Sequence, residues 1–269
     1  MNNNQIKNRL KSIRTTAKIT KAMEMIASAK LNSYRKRFEA NKDYALFIEG
    51  VISKLLAVSD VESIYLKKNQ STKRAYIIFA SDLGLCGAYN NNLLKEIEKL
   101  NKDDLLYIIG SRIGKKFKGN NIKEYHIDEI TMQNLSDLTD ELLNLYIADE
   151  IASISILYNR FISILKSETS IKTLIPYTAS DKQAYKNVEF EPDPLTVLNK
   201  LIPQLMKALI YNAYLSAKSS EEAARKNAMN SATSNANELD EKLSLIYNKN
   251  RQSAITQEIT EIVAGANAL

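Results

Sequence analysis

Apolar residues recur along the start of the chain in alternating steps of four and three. The register runs through Ile6, Leu10, Ile13, Ala17, Thr20, Glu24, Ala27, Leu31, Tyr34, Phe38, Asn41, Ala45, Ile48, Ile52 and Leu55, and twelve of these fifteen are apolar. Only Thr20, Glu24 and Asn41 break the stripe. A seven-residue repeat sustained this long predicts a helix that needs a partner helix along its seam. No Pro or Gly interrupts it before Gly50, so the expected helix is roughly 75 Å long at 1.5 Å per residue. A second apolar phase, Ile19, Met23 and Ile26, overlaps the breaks and points to more than one neighbour there.

After Val58 the pattern stops, and SDVESIYLKKNQSTK reads as a linker. RAYIIFAS, Arg74 to Ser81, then reads as a buried strand, DLGLCG as a turn and AYNNNLLKEIEKL as a helix. LLYIIGS, Leu105 to Ser111, is a second buried strand, followed by a short helical stretch, RIGKKFK. Residues 122–130 suggest a third strand, Leu138 to Lys166 a long amphipathic helix, and Ser170 to Tyr177 a further strand. Strands alternating with helices predict a mostly parallel sheet with helices on its faces.

Residues 178–192 are polar and aperiodic. Asp193-Pro194 is a helix start, with Asp as N-cap and Pro in the first turn. Helix can run from there to Gly265, with Pro203 expected to bend or restart it. Ile255, Ile259, Ile262, Ala266 and Leu269 share one stripe near its end. Small residues at Ala213, Ala217, Ala224, Ala228, Ala232 and Ala236 permit close approach of another helix. The natural partner is the N-terminal helix, packed antiparallel. The expected architecture is mixed α/β. A long antiparallel coiled coil from helices in 1–58 and 193–269 joins a small Rossmann-like α/β domain over 74–177.

No run of eighteen apolar residues exists, so no membrane span is expected. Residues 1–20 lack the apolar core of a secretory signal. Cys86 is the only cysteine, which rules out an intrachain disulfide and fits a reducing compartment. The net charge of +6 is concentrated at the start: residues 1–56 hold twelve Lys/Arg and four Asp/Glu, a local +8, and the rest sums to −2. That is either a solvated helix face or a basic surface turned toward an acidic partner. No nucleic-acid motif accompanies it, so nucleic acid is not expected as a partner.

Catalytic chemistry is sparse. The single histidine, His126, sits in a strand-like stretch and reads as structural. One Cys and one His cannot make a zinc site, and no phosphate-binding GxxxxGK[ST] loop occurs. Gly84-Leu85-Cys86-Gly87 lies between a strand and a helix, where phosphate loops can sit, but two glycines more often mark a tight turn. Glu221 and Glu222 are adjacent on a helix and read as solvated. Neither a cofactor nor a metal is expected.

KITKAMEMIASAKL, SDLGLCGAYN, EPDPLTVL, SSEEAARKNAMNSATSNANEL and YNKNRQSAITQEITEIVAGANAL resemble, in order, the signature segments of the gamma subunit of F-type ATP synthases. The resemblance implies a non-catalytic central-stalk rotor. Its terminal helices would enter a head of alternating alpha and beta subunits, and its middle domain would sit against the epsilon subunit and the membrane c-ring. It would then lie at the cytoplasmic side of the bacterial plasma membrane, as a peripheral subunit. Lys18, Ile19, Thr20, Lys21, Ala22 and Met23 match the segment near the beta subunit's acidic lever loop. Arg251, Gln252, Thr256, Gln257, Glu258 and Glu261 match the segment that meets the head's upper loops and the facing N-terminal helix. Ser81, Asp82, Gly84, Cys86 and Gly87 match the loop at the start of the middle domain. The family usually has Arg where Leu83 stands, His or Gln at Glu222 and Met at Lys226. Two other readings stay open: a related ATPase shaft repurposed for motility or other machinery, and a free-standing nucleotide-binding α/β protein.

Overall fold

A computed structural model describes residues 3–58, 61–114, 116–117, 121–125, 131–178 and 190–267. The elements are α1 (Asn3–Val58), β1 (Arg74–Phe79), α2 (Tyr89–Ile97), β2 (Leu105–Ile109) and α3 (Ser111–Gly114). They continue with β3 (Ile122–Tyr125), α4 (Met132–Ile147), β4 (Ser153–Phe161), β5 (Ser167–Ile175) and α5 (Pro194–Asn267). His126, and most of the polar stretch before Asp193, lie outside the described residues. The chain forms two compact units, residues 1–27 with 225–269, and residues 28–224.

In the first unit α1 and α5 run antiparallel. Arg14 Nε meets Asp240 Oδ1 at 2.7 Å, and six residues further along α1 Thr20 meets Thr233, seven residues earlier on α5. Ile6, Leu10 and Ala27 are buried on the α1 side, and Met229 and Ala236 on the α5 side. Ile19 and Ile26, from the second apolar phase, are exposed.

The second unit is built on a five-stranded sheet of order β3-β2-β1-β4-β5. β1 pairs parallel with both β2 and β4, β2 pairs parallel with β3, and β4 pairs antiparallel with β5. Alternation along β1 sorts its side chains to two cores. Ala75, Ile77 and Phe79 join residues of α1, α4 and α5 on one face, while Tyr76, Ile78 and Ala80 join α2 and α3 on the other. The antiparallel course of α1 and α5 recurs here. Asn41 Nδ2 donates to Ala208 O at 3.1 Å and to Asn212 Oδ1 at 2.8 Å, so the polar break in the stripe is hydrogen-bonded across the seam.

Every position of the fifteen-residue stripe is buried or half-buried. The expected helix from Leu138 to Lys166 is not formed. α4 stops at Ile147, and Ala148, Asp149 and Glu150 close it. Asp149 has φ 57°, its N–H donates to Tyr146 O, and the Glu150 N–H donates to Leu145 O at 3.0 Å, a left-handed stop that satisfies the last carbonyls. Asp149 Oδ1 also accepts the Gln70 N–H at 3.0 Å. The residues beyond enter β4, which is buried on both faces. Pro203 does not restart α5, which continues through it. Buried Ile202, Leu205 and Met206 hold that turn against a cost of about 3 kcal/mol for an internal proline. Asp193 caps α5 as expected, its Oδ1 accepting the Thr196 N–H at 2.9 Å.

Candidate partner-binding surfaces

In the first unit the segment 18–23 divides by side. Thr20 faces α5: its hydroxyl lies 2.7 Å from that of Thr233, and Thr233 also donates to Met229 O at 2.9 Å. Met23 is half-buried, while Lys18, Ile19, Lys21 and Ala22 are exposed. Lys21 Nζ pairs with Glu24 Oε2 at 3.0 Å, which neutralises the charged break in the stripe. Lys7, Lys11, Arg14 and Lys18 fall on one face of α1, since residues three and four apart are neighbours on a helix. With Ser244, Tyr247 and Asn248 of α5 they line a groove of about 890 Å³.

Further along α5, every residue from 251 through 264 is exposed. Arg251, Gln252, Thr256, Gln257, Glu258 and Glu261 are thus presented outward. Their hydrogen bonds stay within the helix: Thr256 Oγ1 donates to Gln252 O at 2.9 Å, and Gln257 Nε2 to Glu261 Oε1 at 2.9 Å. Ile255, Ile259, Ile262 and Val263 add an uncovered apolar face to the same stretch.

In the second unit Ser81, Asp82, Gly84, Cys86 and Gly87 lie in one loop between β1 and α2. The loop is tied down on all sides. Ser81 Oγ donates to Leu83 O at 2.8 Å and accepts from Asn90 Nδ2 at 2.7 Å. Asp82 Oδ1 accepts the Ser111 N–H at 3.0 Å, and the Arg112 N–H donates to Ser81 O at 3.0 Å. A Cβ on Gly84 would meet Arg112 Nη2 at 2.5 Å, the tip of a flexible side chain that packs over the loop. Cys86 is buried. In a doubly wound sheet the ligand crevice lies where the strand order reverses, here between β1 and β4. Protein atoms bridge that place: Tyr89 Oη donates to Phe79 O at 2.9 Å, and Asn159 Nδ2 to Tyr89 O at 2.9 Å.

One further contact of the loop, with Lys218, was missed by sequence reasoning. Lys218, 12% exposed, pairs with Glu221 Oε2 at 3.0 Å and lies 3.9 Å from Asp82 Oδ2. Glu221 and Glu222 are both buried, at 3% and 5% exposure, which corrects their reading as solvated carboxylates. The three-residue spacing of Lys218 and Glu221 was the available signal. Burial pulls the Lys218 ammonium down, but Glu221, with Tyr214 and Asp82, outweighs it and holds the group above its usual value. Leu83 and Leu85, fixed by this anchoring, stand 64% and 61% exposed. Leu85 has φ 62°, unusual for a side chain of its size.

Among the described residues no helix is long and apolar enough to cross a membrane.

The family model described as ATP synthase matches residues 2–269. An ATP synthase gamma chain of Clostridium novyi is 41% identical, over 98% of this chain and 96% of that one. One from Mycoplasma mobile is 37% identical, over 97% of each. The rotor of the Euglena gracilis mitochondrial ATP synthase shares the fold with a TM-score of 0.67 at 16% identity, over 94% of this chain and 98% of that one. The central stalk and c-ring structure from Tetrahymena thermophila gives 0.59 at 20% identity, over 80% and 99%. Neither the reading as a repurposed shaft nor that as a free-standing nucleotide binder finds support in these relatives. The chain belongs to the ATP synthase gamma-chain family.

Proposed function

We infer that this chain is the central-stalk rotor subunit of a rotary ATP synthase. It transmits rotation between a membrane ring and a catalytic head, and performs no chemistry itself. Kinship over essentially the full length with gamma chains carries this reading. The geometry supports it: terminal helices that run antiparallel, a stretch of α5 with every side chain turned outward, and a sheet crevice bridged by the protein's own side chains.

Each surface then has a partner. Lys18, Ile19, Lys21 and Ala22, with the basic face of α1, meet acidic loops of the beta subunits. Arg251, Gln252, Thr256, Gln257, Glu258 and Glu261 meet the upper loops of the alpha and beta head. The Ser81–Gly87 loop presents Leu83 to the head as an apolar contact in place of the family's usual Arg. The α/β unit sits against epsilon and the c-ring. The subunit is peripheral, on the cytoplasmic face of a bacterial plasma membrane.

Reconstitution tests this reading. The purified chain alone has no ATP turnover. Co-expressed with the alpha and beta subunits of the same source, it co-purifies as one copy per hexameric head that hydrolyses ATP. Turnover by the homogeneous isolated chain, or a head that excludes it, contradicts the proposal.

A further inference from the structure

The hairpin that joins β4 to β5 carries three apolar side chains into solvent at its turn. Ile162 and Ile164 are exposed, and Leu165 is 87% exposed. Turn positions are ordinarily filled by Gly, Pro, Asn, Asp or Ser, so the turn itself does not account for an apolar tip. The tip is also held in place. The Ser163 N–H donates to Lys166 O at 2.9 Å, and the Lys166 N–H donates to Ser163 Oγ at 3.1 Å. Behind it, Arg160 Nη2 pairs with Glu168 Oε2 at 3.0 Å, and Thr169 Oγ1 donates to Asn159 Oδ1 at 2.6 Å. A fixed apolar projection is already ordered for contact with a partner.

The hairpin occupies a defined end of the α/β unit. The Phe161 N–H donates to Ser216 Oγ at 3.0 Å, and Arg35 lies over the Phe161 ring at 5.6 Å. Beyond the other end of β5, the Tyr177 N–H donates to Tyr65 O at 2.8 Å, and the charge of Glu49 acts on the Tyr177 phenol. The turn therefore stands where α1 and α5 leave the unit, at Ser28 and Ala224, and not where α1 ends at Val58. β1 and β4 are parallel neighbours, so the Ser81–Gly87 loop, with exposed Leu83 and Leu85, follows β1 at this same edge. Asp82 of that loop lies 3.9 Å from Lys218, two residues along α5 from Ser216. Residues two apart on a helix do not share a face, so loop and hairpin meet α5 on different sides. Charge around the hairpin is net positive, with Arg35, Lys36, Arg160 and Lys166 against Glu39 and Glu168.

We propose that the β4–β5 hairpin is a contact with the catalytic head, beside the Ser81–Gly87 loop, and that it takes an acidic, amphipathic loop of a beta subunit. Ile164 and Leu165 meet that loop's apolar residues, and Lys166 faces its carboxylates. The proposal rests on the rotor reading. With α1 and α5 running on into the head, the edge by which they leave the unit is the edge that meets it. The opposite edge, where Ile64 is exposed, is turned to the membrane ring. Burial of the apolar tip supplies the attraction, and the surrounding positive charge selects an acidic partner.

The test is photocrosslinking in the complete purified complex, with p-benzoylphenylalanine placed at Leu165 and, as a control, at Ile64. Both side chains are exposed, so neither replacement disturbs the core. Illumination should join position 165 to beta, and position 64 to no head subunit. The joined complexes should lose ATP hydrolysis, because a shaft tied to its head cannot turn. Leu165→Asp should lower hydrolysis by the assembled complex about three- to tenfold, and Leu165→Lys by no more than about twofold. Equal rates in the two variants would overturn the proposal. So would products at position 165 with any subunit other than beta, or with none, in a complex that hydrolyses ATP and rotates; the rotor reading would then stand. A chain that the head excludes would contradict the rotor reading, and this proposal with it.

Discussion

Thr20 on α1 and Thr233 on α5 share a hydrogen bond of 2.7 Å inside the seam between the two helices. Thr20 is a break in an otherwise apolar stripe, and its hydroxyl also lies 3.1 Å from Ala17 O. The pairing turns a flaw in the repeat into a register mark, since neither hydroxyl is satisfied across the seam if the helices slip by one residue.

Removing one partner should cost more than removing both. Thr20→Val leaves the Thr233 hydroxyl without its cross-seam partner and should destabilise the first unit by about 1–2 kcal/mol, while Thr20→Val with Thr233→Val should be close to neutral. Thermal melts of the full chain followed by circular dichroism, arranged as a double-mutant cycle, read the difference. Additive losses would deny the pair its role.

The Lys218 anchor makes a second prediction. Lys218→Met leaves the Glu221 carboxylate, 4% exposed at its side chain, without this cation. Breaking a buried pair from one side costs roughly 3 kcal/mol, or about 6–12 °C in melting temperature for a unit of this size. Adding Glu221→Leu should recover most of the loss. The Ser81–Gly87 loop should also become more open in Lys218→Met, read as faster alkylation of buried Cys86.

Alkali should weaken the fold through Tyr177. Burial, with Glu49 adding to it, pushes this phenol up to about 12 from a usual 10. Between those values the unfolded chain loses its phenolic proton first, so stability is full below about pH 10 and falls as pH rises toward 12, by roughly 1–3 kcal/mol. Denaturant titrations at pH 9, 10.5 and 11.5 check the slope. Tyr177→Phe should flatten it, and an unchanged slope would assign the loss elsewhere.

The basic face of α1 predicts a salt-dependent contact with the head. Lys18→Glu in the assembled complex should lower ATP hydrolysis about three- to tenfold at 50 mM salt, and the deficit should shrink at 500 mM, where the screening length falls to about 4 Å. A deficit independent of salt would mean that Lys18 acts through packing.

The sequence was legible where one periodicity dominated. The stripe from Ile6 to Leu55 defined α1 because a helix that buries one seam must repeat its apolar residues. It was misleading between Leu138 and Lys166. There α4 and β4 are both rich in Leu and Ile, and a strand covered on both faces reads as an unbroken apolar run. The stop at Asp149 depends on a left-handed residue and on backbone partners at Gln70, information that is not local. Burial of Glu221 was hidden for the same reason, because its partner Lys218 is itself held toward Asp82, more than one hundred residues away in sequence. The candidate surfaces of segments 18–23 and 251–261 came from resemblance. Periodicity alone marks the first as a mixed face and the second as an apolar stripe.

The most direct test of the rotor reading is to watch this chain turn. Lys102, exposed in the turn before β2, is replaced by Cys and carries a bead through a biotin linker, while the catalytic head is fixed to glass by its beta subunits. With ATP the bead should rotate continuously in one direction, and it should stop with ADP. Complexes that hydrolyse ATP while the bead undergoes only Brownian fluctuation would contradict the account.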